Sequence, residues 1–455
     1  MISENIFRKY DIRGIVGQDF HYHDAYRIAL AFAEVLKELK ITKISLGYDG
    51  RKSSVELSEN FQLVIIESGI DVVNIGLVPS PCLYFSVHHL NLNAGVMITG
   101  SHNPKEYNGI KFMIKDKSFF DEDIKKLYHR INVGDFTQSN IKGSVDNLDV
   151  NPNYIENLIH FIDKSKLPNI AFDAGNGAGG EIIQSIANIF NIPEKNLLYC
   201  DIDGDFPNHH PDPTVEKNMQ DISKLALENH CDVGIAFDGD ADRIGIVDDL
   251  GRFVAGDILV AILSKYLLME TGGGKIIADV KASKVLFDEI TKNGGEPIMY
   301  KTGHSFIKKK LKSENALLAG EMSGHIFYNN RYFGFDDGIY AAMRLIEIMQ
   351  KYNVKLSELI DSYPKMHNTP EIKVSLPEEI KFEIADQISE SLKAEYHDHV
   401  DIDGVRVNFD HGWMLIRASN TQNCLVCRCE SSSESGLVEL KNILENTLLK
   451  HNLSL

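Results

Sequence analysis

Basic side chains are in short supply here: 47 lysines and arginines stand against 65 acids, a formal net charge of -18. That balance argues against a general nucleic-acid or anionic-membrane binder, because both need a broad positive field. It still allows a small anionic ligand held in a locally basic cleft. Long apolar runs are missing as well: no stretch approaches the roughly 18 uncharged apolar residues of a membrane span. The opening segment carries Glu4, Arg8 and Lys9 and lacks the apolar core of a secretion signal. Cysteine is sparse, six in all, which makes no disulfide framework in so long a chain. Cys424, Cys427 and Cys429 cluster, but with no second pair and no His at zinc-finger spacing. They lie in an apolar, extended stretch and read as small buried side chains. A reducing cytoplasm is expected.

What remains is an ordinary globular composition whose 455 residues call for about three or four domains. Ile28, Phe32, Val35, Leu36 and Leu39 share one helical face within residues 24–40. Strand-like Lys43 to Gly47 follows, then a helix that Ser54 would cap, with Gly69 closing it and a second strand over Asp71 to Ile75. The rhythm recurs. A strand ending in an acid and a turn appears at Ile44 to Asp49, Asn169 to Gly175 and Lys275 to Val280. Each is followed by a helical pattern, a strand, and a second strand delivering a polar loop. Three related α/β units are therefore expected over 1–150, 151–250 and 251–365. Beyond Pro364 and Thr369-Pro370 the pattern changes to a helix near Glu378 to Lys393, alternating Val405, Val407 and Phe409, an Asp410-His411-Gly412 turn, and an amphipathic tail. This reads as a smaller α+β unit, 366–455.

The polar loops carry the chemistry. Asp238-Gly239-Asp240-Ala241-Asp242-Arg243 offers three alternating carboxylates, hard ligands for Mg²⁺ or Ca²⁺. It is no EF-hand, since the sixth position is Arg243 and strands flank it. Arg243 beside the acids favours a metal-and-phosphate site over a solvated acidic turn. Thr99-Gly100-Ser101-His102-Asn103-Pro104 displays a hydroxyl, with Gly100 allowing a sharp turn, Pro104 stiffening the exit and His102 as hydrogen-bond partner. Glu321, Ser323 and His325 supply acceptor, hydroxyl and imidazole for vicinal sugar hydroxyls. Arg417, Ser419, Asn420 and Thr421 gather donors suited to a phosphate dianion. One such loop per unit argues for a shared cleft.

Two features compete. Gly175-Asn176-Gly177-Ala178-Gly179-Gly180 matches a dinucleotide fingerprint, with Asp201 about 20 residues later. An NAD(P)-dependent oxidoreductase would explain that segment but leave the other loops idle, so a tight strand-to-helix turn is the better reading. The pairs His88-His89 and His209-His210 read as structural rather than chelating.

Taken together, the loops resemble the α-D-phosphohexomutase superfamily, and within it the bacterial phosphomannomutase/phosphoglucomutase group. The likeness runs along the whole chain: Lys9-Tyr10-Asp11-Ile12-Arg13-Gly14, the Ser101 and Asp238 loops, Asp279-Val280-Lys281, Lys301-Thr302-Gly303-His304, then the Glu321 and Arg417 loops. It implies four domains around a central cleft, three related mixed α/β sheet units and a smaller C-terminal α+β one. It also implies a phosphorylated Ser101 that helps Asp238, Asp240 and Asp242 hold Mg²⁺, and a hexose 1,6-bisphosphate that turns end for end and serves as activator. By the same likeness Tyr10, Arg13, Lys111, Arg243, Lys281 and His304 contact substrate or support transfer, with Lys111 and His304 as proton-transfer candidates. Glu321, Ser323 and His325 would bind the sugar; Arg417, Ser419, Asn420 and Thr421 would grip the non-transferring phosphate. Met322 favours glucose or mannose over a phosphoglucosamine mutase, where Gln is the pattern. Ala241 in place of a common glycine, and Gln422-Asn423 where a proline is usual, depart from it. The expected partners are small-molecule hexose phosphates, with no nucleic acid and no membrane, for a monomer or homodimer.

Overall fold

The computed structural model describes residues 2–115, 119–420 and 422–454. In the first unit Lys43–Tyr48 (β1) pairs in parallel with Asp71–Leu77 (β2) on one side and Ala94–Ile98 (β3) on the other, and Tyr107–Ile114 (β4) returns antiparallel to β3. The second unit repeats this with Ile170–Asp173 (β5), Leu197–Leu198 (β6), Val233–Phe237 (β7) and Ile244–Asp248 (β8). The third does so with Gly274–Asp279 (β9), Gly295–Tyr300 (β10), Leu318–Gly320 (β11) and Ile326–Tyr328 (β12). Each core sheet thus has the order fourth, third, first, second. The expected repeat is present as topology. Strands such as β7, buried at every residue, read as unbroken apolar runs because helices cover both sheet faces.

This topology places the chemistry. The Ser101, Asp238 and Glu321 loops each join the third strand of a unit to its antiparallel fourth, so three equivalent turns face one cleft. The strand Ile12–Ile15 adds to β4 and brings the Tyr10 to Gly14 motif beside the serine loop. Helix Ser80–His89 shares one apolar core with the second and third units, which ties those three units together.

The fourth unit lays helices Glu378–Glu395 and Glu434–Leu449 against Val405–Phe409 (β13), Gly412–Ala418 (β14) and Cys424–Ser431 (β15). Alternation divides the two faces of its sheet. Val405, Val407, Met414, Ile416, Cys427 and Cys429 fill its own core. The opposite face carries Arg406, Trp413, Arg417, Arg428 and Glu430, aligned by the strand register. Its contact with the third unit includes a small apolar cluster of Val280, Trp413 and Leu415, with Arg406 donating to the carbonyls of Val280 and Ala282 at 2.7 and 2.8 Å. All three clustered cysteines are buried in β15. Among the described residues no helix is long and apolar enough to cross a membrane.

One buried carboxylate yields a pH-dependent prediction. Asp337 caps helix Gly338–Tyr352 by accepting from the Tyr340 amide, and it receives the hydroxyls of Tyr154 and Tyr332 at 2.9 and 2.6 Å. Burial nevertheless raises its carboxyl to about 6. An unfolded aspartate titrates near ~3.9, so the fold disfavours the ionised form. This group costs stability above pH 6, and the cost vanishes as pH falls toward 4. Relative to Asp337→Asn, the wild type is expected to gain about 2 kcal/mol between pH 7 and pH 4, read from paired denaturation midpoints. An unchanged difference across that range rules the linkage out.

Candidate active site

Ser101 sits in the left-handed region at φ 48°, a conformation costing a non-glycine residue about 1 kcal/mol or more. Its Oγ lies 3.0 Å from Asp238 Oδ2 and 3.2 Å from His102 Nδ1. The reason for Gly100 differs from the one expected. Its φ is ordinary; a Cβ there would lie 2.4 Å from Arg51 Nε. Close approach demands the glycine, and the turn strain falls on the serine itself. Arg13 donates to the Gly100 carbonyl at 2.8 Å and to the Asn103 side chain, and pairs with Asp11. His102 is kept uncharged, because burial and then the Arg243 and Arg13 charges hold its imidazole well below the usual range.

Asp238, Asp240 and Asp242 are all fully buried, so the solvated-turn reading fails. Ala241, the departure from glycine, takes φ 55° between them. Lys111 on β4 reaches over to donate to Asp240 and Asp242 at 2.6 Å each. Burial alone would lower its ammonium, but those two carboxylates raise it well above the usual range. The same contact brings Asp240 below its ordinary value against the pull of burial. Asp238 is pushed well up, by burial and then by the Asp242 and Asp240 charges. Asp240 Oδ1 and Asp242 Oδ1 are buried without hydrogen-bond partners, and ligand atoms of all three acids lie within 4.8 Å of one another. Hard oxygens with spare lone pairs and surplus negative charge suit a divalent cation.

The supposed dinucleotide turn supports this loop. Ala178 N donates to the Gly239 carbonyl at 2.9 Å, and a Cβ on Gly177 would lie 2.8 Å from that same oxygen. The turn is filled with protein, and the glycines serve packing. His209 Nε2 pairs with Asp173 at 2.9 Å, while His88 and His89 stack on Phe333 and Phe85.

From the third unit, His325 Nε2 accepts from Arg243 Nε at 3.0 Å. Arginine only donates, so Nε2 is the accepting nitrogen, and Nδ1 faces Asp336 Oδ2 at 3.2 Å. His304 stacks on His325 with ring centres 5.5 Å apart. Burial and then the Lys308 charge hold His304 well below its usual range. Glu321 accepts from the Gly303 amide at 2.6 Å, and Ser323 is half-buried beside it. Lys281 pairs with Glu371 at 2.7 Å. In the fourth unit Arg417 Nε donates to Asp403 at 2.9 Å, and Asp403 also accepts from the Thr302 amide at 3.0 Å. Ser419 Oγ accepts from the Gln422 amide at 3.0 Å, so the loop is tied down without the usual proline. Asn420 donates to the Tyr10 hydroxyl at 2.9 Å, which donates to the Thr302 carbonyl at 3.1 Å. Tyr10 thereby joins three units at the cleft. Thr421 lies outside the described residues.

Sequence reasoning missed Arg51, Asp336, Asp403, Glu371 and Ser80. Ser80, at the start of helix Ser80–His89, bonds Asp240. Ser54, expected as a cap, is instead the first helical residue, and its hydroxyl donates to Asp49 at 2.5 Å. Only an acid ending β1 and a paired acid between glycines hinted at any of these.

Four successive polar loops meeting across four units define a phosphotransfer cleft of the phosphohexomutase type. The comparisons agree: four models of the phosphoglucomutase/phosphomannomutase family match, alpha/beta/alpha domains I, II and III over residues 4–138, 152–251 and 255–366, and the C-terminal domain over 371–446. The chain is 39% identical over 449 residues to the phosphomannomutase/phosphoglucomutase of Pseudomonas putida, covering 99% of this chain and 96% of that one. It is 41% identical to the phosphoglucomutase of Neisseria gonorrhoeae over 450 residues, 97% and 96% of the two chains. A crystal structure of a phosphoglucomutase/phosphomannomutase family protein from Burkholderia thailandensis superposes with a TM-score of 0.92 at 33% identity, covering 100% of both chains. The chain belongs to the phosphoglucomutase/phosphomannomutase family, and it is an isomerase of that kind.

Proposed function

We propose that this protein interconverts hexose 1-phosphate and hexose 6-phosphate, with glucose or mannose as the sugar, through a phosphorylated Ser101 and a 1,6-bisphosphate intermediate. One observation carries the reading: a buried serine hydroxyl 3.0 Å from a carboxylate of a three-aspartate loop. In the transfer, the Ser101 Oγ–P bond breaks as a bond forms between phosphorus and a sugar hydroxyl, whose proton passes to a base. His304 is kept uncharged and so has the lone pair a base needs; Lys111 is held as an ammonium and balances charge instead. The bisphosphate turns over in the cleft and its other phosphate returns to Ser101. Asp238, Asp240 and Asp242 would hold Mg²⁺ with the seryl phosphate, and a cation held there would neutralise charge on the transferring group. Arg417, Ser419, Asn420 and Thr421 would grip the phosphate that is not transferred, with Lys281, Arg13 and Tyr10 lining the approach. Glu321, Ser323 and His325 would orient the sugar hydroxyls.

A coupled assay with Mg²⁺ and a catalytic amount of hexose 1,6-bisphosphate tests this. Glucose or mannose 1-phosphate is expected to turn over at least tenfold faster than the glucosamine sugars. Preference for a glucosamine phosphate would reassign the substrate, and no turnover of any hexose phosphate would end the proposal.

A further inference from the structure

Arg51 is 2% exposed and belongs to none of the four cleft loops. Its five N–H donors are all used. Two reach the carbonyls of Ser101 and Asn103 at 2.7 and 2.6 Å, two reach those of Pro104 and Tyr107 at 2.7 and 3.1 Å, and Nε donates to Asp49 at 3.2 Å. Asp49 also accepts the Gly100 amide at 3.1 Å. The guanidinium lies so close to Gly100 that no Cβ fits there, and the Phe206 ring of the second unit covers it with its centre 5.0 Å from Cζ. On its far side the Ser101 carbonyl abuts Gly239, where a Cβ would lie 2.4 Å away. The carbonyl is therefore fixed between Arg51 and the aspartate loop.

We infer that Arg51 is a positioning residue for phosphoryl transfer. Acting through the main chain of residues 101–107, it holds Ser101 in its left-handed conformation and fixes Oγ against Asp238. It reaches Ser101 only through that residue's main-chain carbonyl, and its one ion pair among the described residues is with Asp49 rather than with the aspartate loop. The inference rests on the phosphoserine reading above. Lysine keeps the charge but offers three donors without a planar fork, so it cannot orient four carbonyls and a carboxylate together.

The test compares wild type with Arg51→Lys in the coupled assay, and uses intact mass to follow phosphoryl loading of Ser101 from hexose 1,6-bisphosphate. At temperatures where the variant is folded by circular dichroism, kcat is expected to fall about a hundredfold, with KM changing less than about threefold, since misplacing a reacting group by about an ångström costs that much. Loading of Ser101 should slow in parallel. A merely structural role predicts a lower melting temperature with kcat preserved, and kcat within threefold of wild type overturns the inference. Should Arg51→Lys not fold, Asp49→Asn leaves the guanidinium in place but removes its anchor; a kcat unchanged in that variant overturns the inference equally. A wild type that never loads phosphoryl on Ser101 is a different result: it removes the phosphoserine reading, and the role of Arg51 with it.

Discussion

Replacing Ser101 by alanine is expected to lower turnover of glucose 1-phosphate or mannose 1-phosphate by on the order of 10⁴-fold or more, with added bisphosphate unable to restore it. In the proposed mechanism both half-reactions pass through this hydroxyl, so its loss would remove the covalent route rather than slow one step. Neighbouring hydroxyls offer no substitute: Thr99 Oγ1 accepts from the Ser101 amide at 2.8 Å, and Ser80 is committed to Asp240. The fold should survive, because alanine meets the same backbone strain and only the hydrogen bonds to Asp238 and His102 disappear, about 1 kcal/mol each. Two measurements decide it: kcat under saturating substrate, and intact mass after incubation with the bisphosphate. Activity within tenfold of wild type, or a phosphoryl group on the variant, removes Ser101 from its role.

Much of this architecture was legible because it is written locally. Alternation in Val405, Val407 and Phe409 marked one face of the last sheet, and recurring acid-ended strands marked three equivalent units. The three aspartates were legible as a candidate cation site because alternating carboxylates gather hard oxygens in one turn, and the structure brings their ligand atoms within 4.8 Å of one another. What escaped was whatever depends on approach between distant segments. Nothing around Arg51 announces that its partners lie some 50 residues on, and nothing around Asp336 shows that it faces an imidazole from a neighbouring loop. Gly100 and Gly177 were recognised as glycines that matter, yet for the wrong reason or without one, since the demand came from a guanidinium and from a carbonyl of the neighbouring turn in the same sheet. The counter-ions Asp403 and Glu371 were missed for the same cause. They show how so acidic a chain keeps Arg417 and Lys281 in place in the cleft: each is neutralised locally by its own carboxylate.

Lys111 lies at the centre of that charge balance, and removing its charge should be the second large effect. Its ammonium bridges two fully buried carboxylates. In Lys111→Met the chain keeps the side-chain length and loses the charge, which leaves Asp238, Asp240 and Asp242 crowded with Arg243 as the adjoining cation. Breaking a buried pair in this way costs about 3–5 kcal/mol. The pH dependence follows from Asp240. Its folded-state carboxyl is held below the usual value largely through Lys111, so its contribution is present above about pH 4 and fades as pH falls through the folded value. The stability gap between wild type and variant should therefore be widest near neutrality and narrow in acid. Added Mg²⁺ should raise the melting temperature of the variant by more than that of the wild type, because the cation then supplies charge that the lysine no longer does. On the proposed mechanism turnover should fall as well, since the carboxylates beside Ser101 are no longer held apart from one another. A loss below about 1 kcal/mol at neutral pH, or an equal Mg²⁺ response in the two proteins, would mean that Lys111 and the metal do not share the balancing of this aspartate loop.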